Sequence, residues 1–375
     1  MKKQLIFFIM IIICSISTKV FATEKIIEDT QEQLGISDFL SESKKYTENV
    51  FENLDFSELF NSAIKGNIDN TRITDKIFKI FGLELRNQIN MLISILVIIV
   101  IHSILKSISD GLENDGISQI AYFVQYVLIV GLIMKNFSEI IVSIKNTIEN
   151  LVGFSYSLIP MLLSLLLFTG KIVTVSTIQP IILFLITFIN TAISNVILPL
   201  ILIGTSLGII SKVSDKIQID KLAKMFKSST AWILGFILTI FTGVLSLEST
   251  LTGHVDNFTV KTTKTIVTST IPVVGKILSD TTEVVLGSGL ILKNAIGFIG
   301  VIVIIGICIE PIVKLSILTL IYQVLTAICQ PIADKKIIAI LEQMKDTFKM
   351  LLATVSTVSF LLIIGITIVI KISNI

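Results

Sequence analysis

Residues Lys264–Gly300 read KTIVTSTIPVVGKILSDTTEVVLGSGLILKNAIGFIG, a stretch set among apolar spans yet crowded with Thr, Ser, Gly and charge. Lys276, Asp280, Glu283 and Lys293 interrupt its apolar runs before any is long enough to cross a bilayer, and Pro272, Gly275, Gly287 and Gly289 are expected to break a continuous helix. Non-helical backbone at membrane depth survives only where protein or a water-filled cavity satisfies its amides. Two readings follow: a segment that enters the membrane and lines an aqueous path, or an extracytoplasmic loop. On a helical turn Asp280 and Glu283 share one side, and Gly287 and Gly289 let a helix or a solute approach the backbone.

The surrounding chain sets that choice in a membrane. Of 375 residues 53% are hydrophobic and only 15% charged, with a mean hydropathy of +0.89, far from the balance of a soluble domain. The fold class is all-α, a polytopic helical membrane protein whose first partner is the lipid bilayer. A net charge of +2 with scattered basic residues gives no nucleic-acid face. The three cysteines form no disulfide framework: Cys14 lies in a segment expected to be removed, and Cys308 and Cys329 lie in apolar spans and read as packed small hydrophobes.

Three regions follow in order. In residues 1–22, Met1–Gln4 carries two lysines, Leu5 to Ile13 is a run of nine apolar residues, and Val20-Phe21-Ala22 follows, the pattern of a signal peptide cleaved after Ala22. Residues 23–87 hold eight Lys or Arg against thirteen Asp or Glu, an acidic extracytoplasmic region. Its stripes, Phe39, Leu40, Tyr46, Val50, Phe51 and Leu54, then Leu59, Phe60 and Ile64, predict short amphipathic helices. Residues 88–375 form the membrane domain.

Within that domain Asn90–Leu105 and Gln119–Met134 read as spans, Phe137–Val152 as an amphipathic interfacial helix, and Phe154–Thr169 as a span containing Pro160. The 33 residues from Ile178 to Ile210 would make a helix of roughly 50 Å, so Pro199 and Gly204 are expected to divide them. Lys212–Ser228 reads as a basic interfacial helix and Thr230–Leu247 as a span. Ala295–Ile309 and Ile312–Ile332 are expected to form a hairpin around Glu310-Pro311, and Met350–Ile370 a final span. The total is about eight crossings, with broken or re-entrant segments among them. Glu310 and Lys314 stand four apart, the spacing of a structural ion pair. His102 near the end of the first span reads as a satisfied polar tip.

No phosphate-binding Gly-rich loop, His-Glu-x-x-His helix, Gly-x-Ser-x-Gly elbow or zinc-spaced cysteine pair occurs, so the chain reads as a non-enzyme without a cofactor or metal. Several motifs resemble the stage III sporulation protein AE family of endospore-forming bacteria. They are Lys261 to Lys264, Ile271-Pro272-Val273-Val274-Gly275-Lys276, Asp280 with Thr282, and Leu292-Lys293-Asn294-Ala295-Ile296-Gly297. Ile159-Pro160-Met161-Leu162-Leu163, and Pro180-Ile181 followed by Phe184-Leu185, reinforce the likeness. The resemblance implies a protein of the mother-cell membrane around the forespore. It implies as partners the other proteins of the stage III sporulation operon, an ATPase and ring-forming components among them, and a forespore membrane protein. The implied role is the platform or pore of a secretion-like channel complex between the two cells. The alternative from the residues themselves is a stand-alone secondary transporter with a midplane solute site.

Overall fold

The computed structural model describes residues 30–48, 50–51, 54–66, 71–109, 115–213, 219–270 and 272–372, with side chains placed except at 71–73, 109, 115–122, 125, 213, 248–270, 272–285 and 372. The expected signal peptide, with Cys14, lies outside the described residues. Among the described residues there is no strand. Two short helices, α1 (Ile36–Thr47) and α2 (Phe56–Ile64), precede seven longer ones: α3 (Thr71–Ser109), α4 (Asp115–Phe168), α5 (Ile172–Ala192), α6 (Leu198–Val213), α7 (Asp220–Thr270), α8 (Pro272–Cys329) and α9 (Lys335–Ile372).

Six helical stretches among the described residues are long and apolar enough to cross a membrane: Thr74–Ile108, Tyr126–Phe168, Ile172–Lys212, Asp220–Leu247, Leu286–Cys329 and Lys335–Lys371. The count of eight is not reached because adjacent expected spans fuse. Phe137–Val152 is not a separate interfacial helix but the middle of α4, with Ile140, Ile144 and Ile148 buried in the core. An apolar stripe at this spacing serves lipid or protein equally well, and here the bundle takes it. The polar face stays outside, where Lys145 and Glu149 form an exposed pair at 3.8 Å that adds little stability.

Glu310-Pro311 does not turn the chain either. The 58-residue α8 continues through Pro311. Proline removes one backbone hydrogen bond and costs about 3 kcal/mol in a helix interior, but α8 is the central helix, buried against α3, α4 and α9. Close van der Waals packing of its buried side chains along three neighbouring helices offsets one lost bond. Pro160 and Pro180 are carried inside α4 and α5 in the same way.

The long apolar run from Ile178 to Ile210 is divided, though at Ile193–Ile197 rather than at Pro199 or Gly204. Those five residues form a π-helical turn joining α5 to α6, and the Leu198 amide donates to the Ile193 carbonyl five residues back. Pro199 explains the position. It has no amide to offer Asn195, and its ring crowds that carbonyl, so the preceding turn widens.

α1 and α2 pack on each other and on the bundle, against α4 and α8. Asp55 caps α2, accepting from the Ser57 and Glu58 amides at 2.8 and 3.3 Å. Tyr46 and Phe39 stack near Phe154 of α4, with ring centroids 5.6 and 6.0 Å away, and Ser157 donates to Glu42 at 2.8 Å. Burial, and then the Glu42 carboxylate, push the Tyr46 phenol above its ordinary range. Phe51, 1% exposed, lies over Gly306 of α8. A methyl group at Gly306 would fall 2.6 Å from the Phe51 ring and 2.8 Å from Thr47 Cγ2.

Cross-contacts set the vertical register of the bundle. Lys106 of α3 meets Asp334, in the turn between α8 and α9, at 2.6 Å, and Ser103 donates to the Ile332 carbonyl. Higher up, Phe348 of α9 packs edge-on against Phe137 of α4 and lies 5.1 Å from the Tyr322 ring of α8. Beside it Lys227 of α7 reaches Gln343 and Asp346 at 2.9 and 3.3 Å, and the Thr205 and Thr347 hydroxyls pair at 2.9 Å. Cys308 receives a bond from Ser359, and both it and Cys329 are free, buried thiols.

Candidate functional site

The far end of the bundle holds a polar layer in an otherwise apolar core. α4 stops at Phe168 because Gly170 takes a left-handed conformation, φ 78°. The Gly170 amide donates to Leu167 and the Lys171 amide to Leu166, at 2.9 and 3.4 Å, the two bonds of a glycine-terminated helix end. The Thr169 hydroxyl adds a third to Leu166 at 2.7 Å. This turn carries Thr169, Lys171 and Thr174 inward, and all three are buried.

α8 meets the turn with its smallest residue. Gly289 faces Thr169 Cγ2 and Phe168 Cβ at 3.3 and 3.4 Å from its Cβ position. One position before it, Ser288 is buried, and one turn beyond it Lys293 is 0% exposed. The Lys293 ammonium donates to the Ile370 carbonyl at 2.6 Å. α9 ends at Ile372, so this carbonyl is one of the last four, which have no donor within their own helix. A cation there also complements the negative end of the helix dipole. Lys171, also buried, acts on Lys293 electrostatically, so two lysines share one buried layer. The Asn294 side-chain oxygen is buried with no partner among the described residues. Beyond Lys293 on the same face, Gly297 admits the Ile370 side chain and Gly300 the Leu158 side chain.

Of the sequence-predicted residues, Gly289 and Lys293 are brought together in this layer. Gly287 and Gly289 do not break the helix. Both lie inside α8, because Gly289 lets α8 approach the α4–α5 turn closely enough for packing to offset the cost of glycine in a helix, about 1 kcal/mol. Pro272 opens α8, where its missing amide costs nothing. Gly275, Lys276, Asp280 and Glu283 lie on the α8 backbone, and their side chains are outside the described set. Lys171, Thr169, Thr174 and Ser288 were not expected here. Their signal was Gly170-Lys171, a turn residue and a charge between two long apolar runs.

Glu310 and Lys314 are not brought within ion-pair distance: Glu310 is exposed and Lys314 half-buried, and their pair is absent from those among the described residues. Neutralising each is therefore expected to act independently. Glu310→Gln and Lys314→Gln should combine additively to within about 0.5 kcal/mol in thermal unfolding of the detergent-solubilised protein. A coupling well above that would restore the pair.

Residues 54–373 match the family model described as stage III sporulation protein AE. The chain belongs to the stage III sporulation protein AE family. It is 30% identical over 271 residues to the stage III sporulation protein AE of Bacillus subtilis (strain 168), covering 72% of this chain and 68% of that protein. No solved structure matches. Six apolar helices and this family make the chain a multi-pass membrane protein of a sporulation family, which is not a known family of enzymes. The whole Lys293 layer falls within the stretch that matches the family model; all of α1 and Phe51 lie before it.

Proposed function

We propose that this protein is the membrane platform, and through α8 and its neighbours the pore, of the mother-cell-to-forespore channel complex, and not an enzyme. It sits in the mother-cell membrane around the forespore, with residues 23–87 extracytoplasmic after signal cleavage. The ATPase and ring-forming proteins of the same operon and a forespore membrane protein are its partners. The observation that carries this reading is Lys293: a fully buried lysine among apolar helices, beside a second buried lysine, in the stretch that most resembles the family. A charge inside a membrane bundle costs about 2.5–3.5 kcal/mol to place there, and such residues mark pathways and relays. In this reading Pro272, Gly275, Lys276, Asp280 and Glu283 line the approach to the Lys293 layer.

Single cysteines from Ser279 to Leu290, in a chain lacking Cys14, Cys308 and Cys329, test it with a membrane-impermeant thiol reagent. An aqueous lining labels with helical periodicity and is blocked by pore-sized reagents, and charge reversal at Asp280 or Glu283 stops sporulation while the protein persists. Uniform rapid labelling, with normal sporulation of the charge-reversed variants, would overturn it.

A further inference from the structure

Lys212–Ser228 reads as a basic interfacial helix, but from Asp220 the chain is already α7, continuous with the apolar span above it. No charged residue lies between Lys227 and Glu248, an apolar length of about 30 Å at 1.5 Å per residue, which is the thickness of the hydrocarbon layer. The charged start of α7 therefore stands at a membrane boundary. Trp232, little more than one turn beyond Lys227, lies just inside it.

The charges at this boundary are not all spent. Lys212 holds Asp220 at 2.9 Å, and Lys227 holds Asp346 of α9 at 3.3 Å, so both carboxylates that the start of α7 meets are taken. Lys221 and Lys224 are exposed and form no ion pair among the described residues. Along the outer face the chemistry then changes with height. Met225, Trp232 and Phe236 are 49–70% exposed. The Trp232 and Phe236 rings stack with centroids 5.3 Å apart and planes 8° from parallel. Gly235 has nothing near its Cβ position, so an open notch runs beside the ring pair.

Two unpaired lysines, followed about 12 Å beyond Lys224 by an exposed aromatic pair, match one kind of molecule. An anionic phospholipid places its charged headgroup at the boundary and its acyl chains inward along the rings. The amphipathic tryptophan ring favours that depth, and a lysine stem lies along apolar surface while its ammonium reaches the phosphate level. A zwitterionic lipid would bring no net charge to answer the two lysines, and an acidic protein would have no use for rings turned into hydrocarbon. We propose that the outer face of α7, Lys221 and Lys224 with Trp232, Gly235 and Phe236 beyond them, is a binding site for an anionic phospholipid. About 36 Å along α9 separate Asp346, at this level, from Ile370 in the Lys293 layer, and the proposal stands whether or not the channel reading does.

Trp232 is the single tryptophan of the chain, so its fluorescence reads this face alone. The test reconstitutes the full chain in phosphatidylcholine vesicles that contain increasing fractions of brominated phosphatidylglycerol or, in parallel, of brominated phosphatidylcholine. Quenching should give the brominated phosphatidylglycerol an apparent affinity roughly tenfold above that of the brominated phosphatidylcholine, the preference expected of two lysines at an anionic headgroup. The ratio should fall to within about twofold of one in K221Q/K224Q, and about 0.5 M salt should lower it in the unaltered chain. Should that variant not fold, the ratio and its salt dependence in the unaltered chain decide. A ratio near one in the unaltered chain, a ratio that loss of the two lysines leaves unchanged, or a photo-crosslinker at position 221 that captures a protein instead of lipid in native membranes would each overturn the proposal.

Discussion

Gly306→Ala is expected to destabilise the protein by about 1–3 kcal/mol, the usual cost of an extra methyl group in a packed core, and to do so less once Phe51 is removed. The new Cβ would fall 2.6 Å from Phe51 Cε2 and 2.8 Å from Thr47 Cγ2, and Phe51 is buried with no free side to swing into. Phe51→Ala alone should cost about 3–5 kcal/mol, since it empties an aromatic site beneath α1 and α2. The double variant should then lose less than the sum of the two single effects, because the cavity receives part of the displaced packing while the Thr47 contact remains. Thermal unfolding in detergent, with limited proteolysis of residues 30–66 as a local readout, gives the coupling. Simple additivity of the two single effects would show that Phe51 does not rest on Gly306.

The second large effect separates charge from packing at Lys293. Lys293→Met keeps most of the volume, removes the desolvated ammonium and leaves the Ile370 carbonyl without its donor, a loss of about 1–3 kcal/mol that the relieved desolvation offsets. Lys293→Glu sets a carboxylate against that carbonyl in a fully buried place, at a cost of order 3–5 kcal/mol or more. The expected pattern is near-normal abundance of the Met variant and loss of the Glu variant by immunoblot of membranes. Spore counts then read function: if the layer belongs to a pathway, the abundant Met variant still fails to sporulate. Equal abundance of both variants would mean that the Lys293 site is open to water.

Much of the fold was legible because hydropathy reports apolar length directly: every long apolar helix lies where apolar sequence predicts one. What hydropathy does not report is which face of an apolar helix meets protein and which meets lipid. For that reason Phe137–Val152 read as interfacial although Ile144 and Ile148 are core, and Pro311 read as a corner although packing carries α8 through it. The site was half legible. Lys293 stood out as a charge in an apolar run, whereas Lys171 comes from a turn more than a hundred residues earlier, and only the fold brings the two together. Glu310 and Lys314 show the reverse case, a favourable local spacing that the tertiary structure leaves unused.

The unbroken course of α8 has a mechanical consequence. From Lys293 to Cys329 it is one strut of about 54 Å at 1.5 Å per residue, with the buried ammonium layer at one end and the Lys106–Asp334 clasp just past the other. Pivoted at the clasp, a tilt of about 5° carries the Lys293 end through about 5 Å, nearly the pitch of a helical turn. Pro311 lies half-way along this lever and leaves the Ile307 carbonyl without its helical donor, so the place where the lever can bend is fixed by the sequence.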